Sequence, residues 1–191
     1  IQGICEDSRR IKSGDLFCAV AGELTDGRDH IEAAIANGAA AVLSEFPLPE
    51  IANSLVPVVA VEGLSSRLSE IAGSFYGNPS EALSVFAVTG TNGKTSFTQL
   101  LAQALTSASV KCGVIGTMGS GVPGALIEPG LTTPAAIDIQ RKLREFVDCG
   151  CESVVLEASS HGLVQGRLGN VSVGTAVLTN ITHDHLDYHR T

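Results

Sequence analysis

Short apolar runs separated by polar, glycine-bearing stretches recur along the whole chain, and their spacing alternates between the strand period and the helix period. Asp15 to Ala21 predicts a strand. From Asp29, the apolar positions Ile31, Ala34 and Ile35 keep helical spacing, Gly38 is a stop signal, and Ala40 to Leu43 predicts the next strand. Val58 to Val61 repeats the strand pattern. Leu64, Leu68, Ile71 and Phe75 then follow the i, i+4, i+7, i+11 stripe of a helix ending near Gly77, where Asn78 and Pro79 break it. Gly77 to Ser84 gathers Gly, Asn, Pro and Ser and marks a domain boundary, so residues 1–80 are expected to form a small α/β domain.

Beyond the boundary, Val85 to Thr89 is a compact β-branched run entering a glycine-rich turn, and Phe97, Leu100, Leu101, Ala104 and Leu105 predict one face of the helix that follows. Val114 and Ile115 suggest a strand; Ile139, Leu143, Phe146 and Val147 a second helix; Ser153 to Leu156 and Thr175 to Leu178 two further strands. Strands alternating with helices imply a parallel sheet. Residues 81–191 are therefore expected to be a truncated parallel-sheet domain, which makes the whole chain α/β. No internal repeat or low-complexity tract interrupts it.

The strand, turn and helix around Val85 to Leu105 enclose Gly90-Thr91-Asn92-Gly93-Lys94-Thr95. Glycines there let backbone N–H groups approach phosphate oxygens, and the helix N-terminus adds partial positive charge. Lys94 can reach terminal phosphates and Thr95 can ligate Mg²⁺. The general P-loop pattern wants a glycine five residues before Gly93, where this chain has Val88. The alternative is a plain strand-to-helix turn with a chance lysine, which the flanking elements argue against. Glu157 and Asn180 also stand where strands are predicted to end. In an open parallel sheet ligands bind beyond the carboxyl ends of the strands, so three separated stretches converge on one crevice. A carboxylate in that crevice suits Mg²⁺, although a solvated strand-end Glu is the bland reading. His183, Asp184, His185, Asp187 and His189 lie within seven residues and invite a metal reading, against that of a polar loop.

Composition narrows the partners. The 191 residues are 44% hydrophobic and 17% charged, as in globular proteins, and 12 Lys and Arg against 20 Asp and Glu give a net charge of −8. A sequence-independent grip on nucleic acid is excluded by that sign. No apolar run approaches the ~20 residues of a membrane span and no signal pattern opens the chain, so a cytoplasmic protein without membrane association is expected. The five cysteines lie mostly in apolar runs and predict buried thiols rather than a disulfide framework. Cys149 and Cys151 lack the second pair a zinc site needs.

The GTNGKT turn after an apolar strand resembles the P-loop of the Mur ligase family. Four more stretches resemble it in the same order: Asp7-Ser8-Arg9 followed by Gly14-Asp15-Leu16-Phe17; Thr132-Thr133-Pro134; Glu157-Ala158-Ser159-Ser160-His161-Gly162-Leu163 with Gln165 and Arg167; and Thr179-Asn180 leading to Asp184-His185-Leu186-Asp187-Tyr188-His189. Together they span nearly the whole chain. The last two are most similar to the members that act on UDP-N-acetylmuramoyl-dipeptide and add the third residue of the bacterial stem peptide. Folylpolyglutamate synthetases share the P-loop and match the later stretches less well.

The resemblance implies a UDP-substrate-binding domain over 1–80 and the incomplete ATP-binding central domain over 81–191, with an amino-acid-binding third domain absent. Gly90, Thr91, Asn92, Gly93, Lys94, Thr95 and Ser96 would bind ATP. Thr95 and Glu157 would hold Mg²⁺, and His185 a second Mg²⁺ with Asp184 and Asp187 around it. Lys94, Glu157 and His185 would be the catalytic set. Ser8, Thr132, Thr133, Ser159, Gln165 and Arg167 would contact the sugar-peptide, Ser8 at the uridine edge beside Glu23 to Thr25, and His161 would be structural. The implied reaction joins an amino acid to the dipeptide's free carboxylate through an acyl phosphate, in a monomeric enzyme. The family's carbamylated lysine is expected shortly after Thr191. Leu131 departs from the asparagine often found in relatives, and Ser96 is a mild change that keeps a hydroxyl. A non-catalytic scaffold homologue is expected to lose Lys94, Thr95 or Glu157, and all three are present. A generic P-loop NTPase and another Mur-type ligase are the remaining alternatives, and the resemblance leaves the added residue open.

Overall fold

A computed structural model describes residues 1–22, 25–49, 55–127 and 130–183. The chain divides into two compact units, Ile1–Phe75 and a second that begins at Tyr76.

The first unit is a four-stranded parallel sheet in the order β1 (Gly3–Cys5), β2 (Asp15–Ala19), β3 (Ala41–Glu45) and β4 (Val58–Val61). Phe17, Ala19 and Val42 bury one face of it with Ile31 and Ala34 of α1 (Ile31–Ala36). In α2 (Leu64–Phe75) the predicted stripe is rotated: Leu64 and Leu68 are buried, but Ala72 takes the third inner position and Phe75 is exposed. The N-terminus of α2 is capped from the sheet, since the Glu45 carboxylate accepts from Leu64 N at 3.0 Å and Ser65 N at 2.8 Å.

Between β1 and β2 a single 3-10 turn, Ser8–Arg10, is capped by Asp7, whose carboxylate also pairs in two-pronged fashion with the Arg9 guanidinium at 2.9 and 2.8 Å. The Arg9 side-chain bonds hold the Asp7 carboxyl down to about 2. A depressed carboxyl contributes stability above its unfolded value, near ~3.9, and loses that contribution as pH falls through the folded value. Asp7→Asn keeps a competent cap and removes the charge together with one of the two acceptors of the Arg9 guanidinium. It is therefore expected to lower the melting temperature by about 1–2 °C above roughly pH 4, and to leave no difference near pH 2. Thermal melts of the two proteins across that range test this.

The second unit is a six-stranded sheet in the order β10-β5-β9-β6-β7-β8, built from β5 (Ser84–Thr89), β6 (Cys112–Gly116), β7 (Gly119–Val122), β8 (Ala125–Ile127), β9 (Ser153–Glu157) and β10 (Thr175–Leu178). β10, β5, β9 and β6 are parallel, as the alternation predicts, whereas β7 and β8 form an antiparallel extension. That hairpin adds to the expected parallel sheet two strands that the sequence did not announce, because Gly119, Ser120 and Gly121 give β7 no hydrophobic alternation to read.

α4 (Ala136–Asp148) covers one sheet face, where Ile139, Leu143 and Phe146 pack with Val85, Ala87, Ile115, Val154 and Leu156. α3 (Lys94–Ser107) covers the other, where Ala102 packs with Val88, Cys112, Val114 and Val155. The inner face of α3 is not the predicted one: Thr98 and Ala102 are buried while Phe97 and Leu100 are 38% and 66% exposed. Small side chains let the helix approach the sheet closely, and Leu101 and Leu105 fill the flanks of that contact.

Four of the five cysteines are buried and Cys149 is exposed; burial pushes the Cys18 thiol up to about 12. Among the described residues no cluster of three metal-ligating side chains occurs, and no helix is long and apolar enough to cross a membrane.

Candidate functional site

The parallel core of the second unit aims four strand ends at one edge, and the chain switches direction there. From β5 it crosses by α3 to β6, returns by α4 to β9 between them, and passes to β10 on the far side of β5. Such a switch point opens a crevice at the carboxyl ends of the strands. Residues 90–93 leave β5, Thr117 follows β6, Glu157 ends β9, and Thr179 follows β10.

Strand parity decides which side chains meet there. Glu157 lies two residues beyond Val155, on the α3 face of β9, so its carboxylate points to the first turn of α3. Thr95 Oγ1 donates to Glu157 Oε2 at 2.9 Å, Thr117 Oγ1 donates to the same oxygen at 3.0 Å, and Thr117 N donates to Oε1 at 3.0 Å. Glu157 is 0% exposed. Every group that bonds this buried carboxylate among the described residues is neutral, an unusual state for an acid that burial penalises. Gly116 makes room for it: a Cβ there would overlap Oε1 and lie 2.8 Å from Cδ. Gly116→Ala is expected to force the carboxylate out of its place at a cost of about 1–3 kcal/mol, visible as a lower melting temperature.

The glycine-rich loop is held from behind by the end of β10. Thr91 N donates to Asn180 O at 3.0 Å, Asn92 N to Asn180 Oδ1 at 3.1 Å, and Asn180 Nδ2 to Asn92 O at 2.9 Å. Thr179 Oγ1 donates to Asn92 O at 2.6 Å, and Thr182 N to Thr91 Oγ1 at 2.9 Å. The Lys94 ammonium folds over the loop, donating to Gly90 O at 2.7 Å and Thr91 O at 3.1 Å. This puts a cation within the loop and the Thr95 hydroxyl at the base of the helix, with Ser96 exposed beside it.

A second cluster joins the same carboxylate from the other side. Thr117 Oγ1 lies 3.1 Å from Thr132 Oγ1. The buried Thr133 hydroxyl donates to Glu157 O at 2.7 Å and accepts from Ser159 N at 2.8 Å. Ser159 caps α5 (Ser160–Val164), its Oγ accepting from Gly162 N at 3.1 Å, and His161 lies within that helix. Arg167 donates through Nη1 to Thr133 O at 2.5 Å and through Nε to Gln165 Oε1 at 2.8 Å.

The structure thus brings Thr95, Thr132, Thr133, Glu157, Ser159, Gln165 and Arg167 into one bonded network, with Lys94 next to Thr95 in sequence and bonded to the loop carbonyls. Ser8 belongs to the first unit, buried in its 3-10 turn with its carbonyl accepting from Asn37 Nδ2 at 2.9 Å. Glu23, His185, Asp184 and Asp187 lie outside the described residues. Sequence reasoning passed over Thr117, Gly116 and the latching roles of Thr179, Asn180 and Thr182. The one available signal was that Val114-Ile115 ends a strand at the same edge as the others.

Comparison with known proteins fits this geometry. The Mur ligase middle domain family matches residues 88–191, and the Mur ligase family, catalytic domain, matches residues 1–76. The chain is 50% identical over 191 residues to the UDP-N-acetylmuramoyl-L-alanyl-D-glutamate--2,6-diaminopimelate ligase of Ectopseudomonas mendocina (strain ymp), covering 99% of this chain and 39% of that protein. It is 48% identical over 190 residues to the ligase of the same name from Pseudomonas aeruginosa, again covering 99% and 39%. A solved ligase of that name superimposes with a TM-score of 0.81 at 36% identity, over 99% of this chain and 38% of the other. A MurF ligase from Thermotoga maritima in complex with ADP gives 0.71 at 26% identity, over 99% and 40%. The chain spans about two fifths of the length of these curated relatives.

Proposed function

This chain belongs to the Mur ligase family, and from that premise we propose that it is the nucleotide- and acid-substrate-binding portion of a cytoplasmic, monomeric ligase that extends UDP-N-acetylmuramoyl-L-alanyl-D-glutamate by one amino acid at the expense of ATP. The names of its relatives favour 2,6-diaminopimelate as the added residue. On this reading residues 1–80 hold the UDP end of the substrate, with Ser8 at the uridine, and residues 81–191 hold ATP and the reacting carboxylate.

The observation that carries the reading is the buried Glu157 carboxylate beside the first turn of the P-loop helix, surrounded by hydroxyls and lacking a cationic partner among the described residues. Its donor set, a carboxylate oxygen with the Thr95 and Thr117 hydroxyls, is hard oxygen throughout and fits Mg²⁺. Glu157 and Thr95 would hold the ion, with His185 proposed for a second one. Bound there, Mg²⁺ supplies charge neutralisation between the phosphates of ATP.

The chain's own residues do the rest by orientation. Backbone N–H groups of residues 93–95 and the dipole of α3 receive the phosphates, those of Thr91 and Asn92 being committed to Asn180, and the Lys94 ammonium turns from the loop carbonyls to the transferred phosphoryl group. Arg167, held by Gln165 and Thr133, places its guanidinium charge beside the acid substrate, with Ser159 and Thr132 as directional partners. The glutamate carboxylate attacks the γ-phosphorus, ADP leaves, and the resulting acyl phosphate is opened by the amino group, which forms the amide and releases phosphate. The protein aligns two anions and spreads their charge, with no covalent intermediate of its own.

The test is ligation by the protein extended to the full length of its relatives, supplied with the dipeptide precursor, ATP, Mg²⁺ and diaminopimelate, with lysine as competitor. Product formation with diaminopimelate supports the reading, and ATP turnover without ligation overturns it. The 191-residue chain by itself is expected to bind UDP-N-acetylmuramoyl-dipeptide weakly without turnover, and Arg167→Ala to abolish that binding in calorimetric titration. Measurable ligation by the short chain would contradict the division of labour between its parts.

A further inference from the structure

Thr117 belongs to no motif read from the sequence, yet it is the joint between the two clusters of the site. Its backbone N–H and hydroxyl together hold both oxygens of Glu157, and the same hydroxyl touches Thr132. We propose that Thr117 is a positioning residue that locks the Glu157 carboxylate and turns the Thr132 hydroxyl so that its lone pairs, rather than its proton, face the acid substrate. This rests on the ligase reading above.

Proton counting sets the direction of these bonds. A hydroxyl has one proton and two lone pairs, and an ionised carboxylate only accepts. Glu157 Oε2 takes the Thr117 proton at 3.0 Å, so that proton is not available to Thr132. The 3.1 Å contact is then satisfied by the Thr132 proton pointing back at Thr117 Oγ1. Polarity therefore runs in one direction, from Thr132 through Thr117 to Glu157. Thr132 is left as an acceptor, suited to an amide N–H or a hydroxyl of the substrate and unsuited to a carboxylate. Ser159 has the opposite character: its Oγ accepts from Gly162 N, so its proton is free to be donated. The site thus offers a lone pair at Thr132 and a proton at Ser159, which orients a ligand carrying both an amide and a carboxylate. Any shift of Thr117 moves the cation end and the acid end together.

The test compares Thr117→Val and Thr117→Ser in the full-length ligase, with kcat, KM for the dipeptide precursor and the Mg²⁺ concentration for half-maximal rate as readouts. Valine keeps the shape and the backbone N–H bond but removes both hydroxyl contacts. It is expected to lower kcat about 10- to 100-fold, raise the Mg²⁺ requirement and raise KM for the acid substrate. Serine, which keeps the hydroxyl, is expected to stay within about threefold of wild type in all three. Valine at wild-type rate and Mg²⁺ dependence, or serine as impaired as valine, overturns the proposal. A purely structural role is also excluded by the expected pattern, since it would lower the melting temperature of the valine variant without moving its Mg²⁺ dependence. A wild-type enzyme that turns over ATP but never ligates the dipeptide would instead overturn the ligase reading on which this one stands.

Discussion

Glu157→Gln in the full-length ligase is expected to leave the fold intact and to remove ligation by about 10³-fold or more. The substitution conserves volume, and the site dictates how the amide must sit. Thr117 N–H can only donate, so the amide oxygen has to take the place of Oε1. The amide NH₂ then falls at Oε2, where the Thr95 and Thr117 hydroxyls can rotate to accept from it. The Thr117 proton can turn to Thr132 Oγ1, so only the Thr95 proton loses its acceptor, and the melting temperature should fall by no more than about 2–4 °C. The negative charge is lost, and with it the group proposed to hold Mg²⁺. ATP affinity measured with and without Mg²⁺ should therefore become equal in the variant, whereas wild type should prefer the Mg²⁺ complex. A variant that ligates within about tenfold of wild type would remove Glu157 from the mechanism.

The contrast between Glu157 and Thr117 explains what the sequence made legible. Glu157 could be read because an apolar run of strand length, Ser153 to Leu156, ends on it, and strand ends of a parallel sheet share one edge. Thr117 also follows a strand, but the run before it is short, and neither Thr nor the following Met118 announces chemistry. Its role exists only through cross-strand placement: Ile115 pairs with Leu156, so Gly116 and Thr117 arrive beside Glu157. The latch of Asn180 on Asn92 spans 88 residues and leaves no local trace for the same reason. The phosphate loop, by contrast, is contiguous, and a contiguous motif is the easiest kind to read. Helix existence was also clear, because apolar spacing reports it. Helix orientation was less so, since α3 meets the sheet through Thr98 and Ala102 and leaves Phe97 and Leu100 in solvent, the reverse of a ranking by hydrophobicity. The β7–β8 hairpin escaped because its glycines carry no pattern, although Pro123-Gly124 between Val122 and Ala125 is a turn signal.

Gly90→Ala is expected to damage both the loop and the nucleotide site. Gly90 has φ of 128°, a region that side-chain-bearing residues rarely enter. A Cβ on it would overlap Thr179 Oγ1 and lie 2.7 Å from Asn180 O and 3.0 Å from Asn180 N. The loop would have to leave the end of β10, breaking the Thr91 N to Asn180 O bond and the paired bonds between Asn92 and the Asn180 side chain. Strain and overlap together should cost about 2–4 kcal/mol, or roughly 5–15 °C in melting temperature. ATP affinity should fall by about 100-fold or more, because the N–H groups proposed to receive the phosphates no longer converge. Gly150→Ala separates the two causes. Gly150 also has positive φ, 75°, but nothing lies within 4 Å of its Cβ position. It should show a strain cost of about 1 kcal/mol and unchanged ATP binding. Equal loss of nucleotide affinity in both variants would mean that the latch behind the loop does not shape it. Loss confined to Gly90→Ala would tie the phosphate-binding conformation to the end of β10.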